Sequence, residues 1–583
     1  MKSITIFLLI LLFSFSTIAQ NPPLLKLKYA QNYTPTYSEV IEMYQLLDSK
    51  YDNAKLFENG MTDCGKPLHT FVINSEEEFN PEKIKAAGKA VLLIENGIHP
   101  GEPAGIDASL QFADDILRNK NGLATLLKNA VIVIIPVYNI GGLLNRSAFN
   151  RANQTTPYET GFRGNAANYD LNRDFVKCDS ENAKSFTKIF RKWNPDIFLD
   201  THTTNGSDHK YSVTLIAPQP DMFPPAQQKF LREKLIPNLY SEMKKGDYEL
   251  IPYVSWMYRD PKRGIKMDQF SGRYSSGYAS LFNSYGMMTE NHVYKLYADR
   301  VKSCYQFIGV LTKFTSANAA EIIESRKKGF EESVSAKTYP LNFKLDTTVF
   351  NKIEFKGYET TNDKISKVTG LKHFDYDRSK PFTDSVKFYS TYNIAETIKI
   401  PEYYILPQAY KRVTERLILN GIEVEPLKTD TIIEVEIDYI DEFSNAKHPS
   451  NGHYFHNNVT TRSEIRKIKY YAGDLLIPVR QKGVKYLIEV LEPKAKDSFF
   501  RWNFFDNILD RREYFSSYGF EENAIKYLNE HPEFNKKFQE KRKTDPGFAN
   551  NHRAQLAYIY NNTEWAEKSY KRYPVGRIYT PSK

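Results

Sequence analysis

The chain is predicted to be an α/β protein, a mixed, mostly parallel sheet flanked by helices, with a C-terminal accessory region of mixed β and helical character. Three observations lead there. Up to about residue 316, short runs that are apolar throughout alternate with amphipathic stretches, as buried parallel or mixed sheets covered on both faces require. A composition shift follows Ser325, beyond which strand-like segments alternate in polarity. At 583 residues the chain exceeds what one hydrophobic core covers, so two or more domains are expected.

The elements follow in order. Residues 40–47 have helical spacing, and residues 70–74 read as a strand after a turn at 64–67. Residues 90–94 and 130–137 are buried strands that bracket a helix over 104–117 with Ile106, Leu110, Ile116 and Leu117 on its apolar face. A helix over 182–193 and a strand over 196–200 continue the alternation. Beyond the charged stretch 325–332, residues 347–355 and 431–439 alternate as half-exposed strands, 403–407 and 475–479 are short strands, and 499–551 is helical and aromatic-rich. These shifts divide the chain into residues 1–19, 20–325 and 326–583.

The first segment has the layout of a secretory signal peptide. Lys2 precedes an apolar run over 4–15, and the small residues Thr17 and Ala19 place a cut after Ala19. The run is short for a membrane span, so a secreted or periplasmic protein without stable membrane insertion is expected. The excess of 79 basic over 70 acidic residues is small and unclustered, which argues against a nucleic-acid partner. Three cysteines, Cys64, Cys178 and Cys304, allow one disulfide and exclude a disulfide-built scaffold.

The chemistry begins at His99 and Glu102. Of the eleven histidines, only His99 is followed three positions later by an acid. The pair stands in a turn directly after the apolar run 90–94, where an imidazole and a carboxylate can reach one zinc ion. His202, in Asp200-Thr-His202, sits just past another buried strand, and sites in open α/β sheets collect beyond such strand ends. Two ligands from one turn plus a distant histidine, with a position left for water, is the donor set of a catalytic zinc site. Between them, Asn172 and Arg173 present an amide and a planar guanidinium suited to gripping a carboxylate, and Arg163 can bring a second guanidinium there.

Gly97-Ile-His-Pro-Gly-Glu102, Asp170-Leu-Asn-Arg173, Asp200-Thr-His202 and Thr289-Glu290 together resemble, in order and rough spacing, the M14 family of zinc carboxypeptidases over residues 30–316. The resemblance implies a zinc carboxypeptidase-like fold for the first half and one zinc ion held by His99, Glu102 and His202. It implies that Asp170 orients the first ligand histidine, that Asn172 and Arg173 hold the terminal carboxylate of a peptide substrate, and that Arg163 polarises the scissile carbonyl. Glu290 is implied as the general base, and either Tyr274 or Tyr278 as a mobile tyrosine covering the substrate. The substrate implied is a peptide with a free C-terminal carboxylate, cell-wall peptides included, and the segment before His99 leaves no room for a large inhibitory pro-segment. Two alternatives stay open: an amidase, cell-wall peptidase or amino-acid deacylase on the same scaffold, and a catalytically silent peptide- or glycan-binding protein. His448, His453 and His456 read as a solvated loop, His209 and His292 as pocket lining, and the aromatic run 499–505 as packing.

Overall fold

Residues 22–204, 206–256 and 260–579 are described by the computed structural model of the chain; the expected signal segment 1–19 lies outside them. The first half is built on eight strands: β1 (Ala54–Met61), β2 (Pro67–Ile73), β3 (Ala90–Glu95), β4 (Ala130–Ile135), β5 (Ile197–Thr204), β6 (Val213–Ile216), β7 (Leu250–Pro252) and β8 (Tyr285–His292). They form one sheet in the order β1-β2-β4-β3-β5-β8-β6-β7. The four central strands β4, β3, β5 and β8 run parallel, β1–β2, β2–β4 and β8–β6 pair antiparallel, and β6–β7 is parallel, so the sheet is mixed as expected. Every residue of β3, β4 and β5 is buried, which is why these strands read as unbroken apolar runs.

Alternate side chains of these strands go to opposite faces. Leu92, Ile94, Ile132 and Ile134 pack with the helices Ala104–Leu117 and Tyr297–Ala317. Val91, Leu93, Val131 and Val133 pack with Phe186, Phe190 and Trp193 of the helix Glu181–Trp193. That helix starts where Ser180 Oγ accepts the Ala183 N–H, and it ends at Asn194 in the left-handed conformation.

The second face is completed by the C-terminal half. Its hydrophobic cluster runs without a break from Leu68 and Val91 to Tyr486, Phe499, Trp502 and Tyr573. The expected boundary after residue 325 falls inside a continuous helix, Ala319–Ser335, and the β-rich part opens only at Thr338. A long hairpin, Asn351–Ile365 with Lys372–Tyr389, pairs through Phe388 and Tyr389 with Ile265 and Lys266 of the first half. A six-stranded sheet runs in the order 425–426, 475–478, 403–406, 572–578, 431–445, 456–470. The region expected to be helical from residue 499 first forms turns, because Phe499, Phe500, Trp502 and Phe505 are drawn into the shared core; the longer helices begin at Ser517. The three cysteines are free, and among the described residues no helix is long and apolar enough to cross a membrane.

Candidate active site

β3, β5 and β8 end side by side, and their carboxyl ends carry the chemistry. His99 and Glu102 occupy the turn after β3, closed by the Glu102 N–H donating to His99 O at 2.8 Å. His202 lies on β5 in register with Glu290 on β8, so the two share a face on adjacent strands. His99, Glu102 and His202 are all buried, and one donor atom from each lies within 4.8 Å of the others.

The donors are oriented for a metal ion. His99 Nδ1 is buried without a hydrogen-bond partner, and His202 Nδ1 lies 3.1 Å from Glu102 Oε2. Each ring is backed on its far side by a carboxylate: His99 Nε2 is 2.9 Å from Asp170 Oδ1, and His202 Nε2 is 2.7 Å from Asp200 Oδ2. A carboxylate behind each imidazole sets the tautomer, leaves Nδ1 free to ligate and raises its basicity. Two imidazoles and a carboxylate are a catalytic zinc donor set, and the orphaned Nδ1 shows the residues fit that ion.

The electrostatics support the arrangement. Burial alone would raise the Glu102 carboxyl, but Arg151 and His99 hold it well below the usual range, so it stays anionic. Burial likewise opposes ionisation of Asp170, and the His99 hydrogen bond with the Arg163 and Arg173 charges overcomes it. For His202, Asp200 outweighs the effect of burial and raises the proton affinity of the ring. Burial pushes the Glu290 carboxyl up to about 8, with Glu102 and Asp200 adding to the shift and His202 and Arg151 opposing it. Its Oε2 is buried and unpartnered.

The remaining expected residues are placed unevenly. Arg163 Nε donates to Asp170 Oδ2 at 3.0 Å, with Nη1 3.6 Å from Glu102 and its side chain 45% exposed. Asn172 is not an open grip: its amide lies 3.3 Å from His202 Nε2, and its Oδ1 accepts the Ser275 N–H. Arg173 is half-buried, its guanidinium 4.4 Å from the Tyr274 ring centre. Tyr278 is ruled out as a mobile cover. It is fully buried, donates to Asn420 Oδ1 at 2.7 Å and packs among Phe175, Phe190 and Phe282, so a swing would open the core. Tyr274 is left as the tyrosine at the site. His209 and His292 pack against each other with tilted rings beside Asp208, His453 is tied to Asp179, and His456 to Asp506 and Asn445.

Four further residues belong to the site. Asp200 was legible, since Asp-x-His on a strand puts both side chains on one face. Ser275 Oγ donates to Asp200 Oδ2 at 2.6 Å. Arg151 reaches Glu102 Oε1 at 2.6 Å and Thr203 O at 3.1 Å, fixing the Glu102 carboxylate. Asn451, 281 positions beyond Asp170, accepts the Asp170 N–H on Oδ1 at 3.0 Å and donates to Asp170 O at 2.9 Å. No local pattern marks Arg151 or Asn451.

Comparison with known proteins bears on the same residues. A family model described as zinc carboxypeptidase, Peptidase_M14, matches residues 40–218, which include His99, Glu102, Asp170, Arg173 and His202 but not Glu290. Carboxypeptidase 2 of Trichophyton equinum is 21% identical over 428 residues, covering 70% of this chain and 72% of the relative. Carboxypeptidase 2 of Trichophyton rubrum is 22% identical over 431 residues, with 70% and 72% covered. Among solved structures, a metallo-carboxypeptidase from Burkholderia cenocepacia is 14% identical with TM-score 0.37, over 48% of this chain and 69% of that one. Carboxypeptidase A from Helicoverpa armigera is 16% identical with TM-score 0.38, over 51% and 75%.

Proposed function

We propose that this chain, a zinc metallopeptidase by the family match of residues 40–218, is a secreted or periplasmic carboxypeptidase that releases C-terminal residues from peptides. The observation that carries the reading is the convergence of His99, Glu102 and His202 within 4.8 Å, with Glu290 in register beside His202. One zinc ion, held by His99 Nδ1, His202 Nδ1 and the Glu102 carboxylate, supplies an acidified water and a polarised carbonyl when bound.

The chain's own groups do the rest. Glu290, in register beside His202, takes the water's proton and passes it to the leaving amine. Arg163, the more exposed of the guanidiniums near Glu102, stabilises the oxyanion that develops on the scissile carbonyl. Arg173 binds the substrate's terminal carboxylate, and Tyr274, stacked on it, closes over the same end. Arg151 holds Glu102 in its ligating position. Asn172, with its amide against His202, contributes to ligand placement rather than to the carboxylate grip. Export rests on the sequence pattern of residues 1–19.

The test is release of terminal residues from a mixed peptide library, with zinc chelation and Glu290→Gln as controls. Chelation should abolish release, and Glu290→Gln should lower kcat by about 10²- to 10⁴-fold. Release that survives both treatments refutes the mechanism, and internal cleavage without terminal release refutes the carboxypeptidase assignment.

A further inference from the structure

At the other end of the sheet lies a cleft of about 370 Å³. Its walls come from the segments leading into the parallel strands: Lys85 before β3, Asn194 and Asp196 before β5, and Asn283 before β8. At 3.3 Å per residue, β5 alone separates Asp196 from His202 by roughly 20 Å. Lys482 and Lys485 of the C-terminal half form the opposite wall, so the cleft lies on the seam between the halves.

The charge of this cleft is lopsided. Seven of the 17 lining residues are Lys or Arg and one is acidic, in a chain whose 79 basic and 70 acidic residues nearly balance. The single acid is already spent, since Asp196 pairs with Arg326 and accepts the Val91 N–H at 2.8 Å. Lys485 Nζ is spent on Ser280 O and Met222 O, and Lys89 Nζ on Asn74 and Ser75. Lys85 Nζ donates to Asn194 O at 2.9 Å but has no carboxylate partner among the described residues, and Arg191, Lys327 and Lys482 have neither. Burial, together with repulsion from Arg326 and Lys482, pushes Lys85 down to about 8. Behind Gly483 the Val484–Leu491 helix opens onto the same wall with no side-chain cap, adding its N-terminal dipole to the positive field.

Cations gathered without counter-charge repel one another, and an anion between them removes that cost. A phosphate monoester carries about −1.5 to −2 at neutral pH, so two such groups match Lys85, Arg191, Lys327 and Lys482, none of which has a carboxylate counter-charge among the described residues. We propose that this cleft is a binding site for a small ligand bearing two phosphate or sulfate groups, held across the seam between the two halves and remote from the peptidase centre.

The zinc-loaded full-length protein should be titrated calorimetrically with fructose 1,6-bisphosphate, a disulfated disaccharide and unphosphorylated fructose. The expected result is saturable one-to-one binding of a doubly charged probe and none of the neutral sugar. Affinity should fall tenfold or more in a Lys85→Gln/Lys482→Gln double variant and in Lys482→Glu, with peptide hydrolysis unchanged. The tighter of the two charged arms identifies phosphate or sulfate as the recognised group. Absence of saturable binding in both charged arms overturns the proposal. So does affinity retained within twofold in both variants, which places the anion elsewhere, the zinc centre included.

Discussion

Replacing Asn451 by glycine tests whether the C-terminal half is part of the catalytic apparatus. Asn451 holds the Asp170 backbone through two hydrogen bonds, at 3.0 and 2.9 Å, and Asp170 in turn orients His99 and Arg163. Its φ of 48° is a conformation glycine adopts freely, so the substitution removes the side chain without straining the loop. Each bond is worth about 1 kcal/mol net, giving roughly 2 kcal/mol in all. If all of it reaches the transition state, kcat/KM falls by at most about 30-fold; zinc affinity should fall in parallel, because the carboxylate behind His99 loses its anchor. The assay pairs kcat/KM on a C-terminal peptide substrate with zinc affinity by chelator competition. Asn458→Gly serves as control, since Asn458 also has positive φ but bonds only the distant Ser444 hydroxyl. Unchanged kcat/KM and zinc affinity in Asn451→Gly, with a lowered Tm, would refute the reasoning and leave the loop a packing element.

Three more outcomes are expected. Asp200→Asn should weaken zinc binding by about 10- to 100-fold, because His202 loses the carboxylate that raises its basicity; chelator competition reads this directly. Arg173→Ala should raise KM for peptides with a free terminal carboxylate by roughly 10- to 100-fold, the loss of a charge-assisted pair, and an equal effect on C-terminally amidated peptides would disprove the assigned contact. The third concerns Asp107, which is fully buried and whose carboxyl is pushed up from 3.8 to about 7 by burial, against the hydrogen bonds from Tyr297 and Thr34. A raised folded-state value means its contribution is fully present below pH 3.8 and is lost as pH rises through about 7. The loss is roughly 4 kcal/mol at 1.36 kcal/mol per unit, so chemical denaturation should show wild-type stability falling relative to Asp107→Asn between pH 4 and 8. Parallel pH profiles would contradict the assignment.

The parts of this protein legible in the sequence are those that are local or periodic. β3, β4 and β5 show as unbroken apolar runs because both faces of a parallel strand are buried, and the helix 104–117 shows as an amphipathic stretch. His99 and Glu102 are legible because one turn carries both, and Asp200 with His202 because a strand repeats every second residue. The short strand β6 and the half-exposed β1 carried no such signal; their place comes from pairing with β8 and β2. Side chains bound by long-range contacts were equally silent. Arg151 reaches Glu102 from a loop 49 residues away, and Asn451 reaches Asp170 across 281, distances at which sequence spacing holds no geometric information.

Tertiary structure also chose among residues that the sequence left equivalent. Tyr274 and Tyr278 stand four apart in one segment, yet one stacks on Arg173 and the other fills the core between the halves. Residue 325 lies within the helix Ala319–Ser335, and residues of both halves share one hydrophobic cluster. Periodicity thus determined the element types of the sheet, and local spacing brought forward His99, Glu102 and His202 as candidate metal donors. Which carboxylates back those donors, which tyrosine is free and where cations without a carboxylate counter-charge gather follow from burial and packing between segments hundreds of residues apart, which only the folded chain decides.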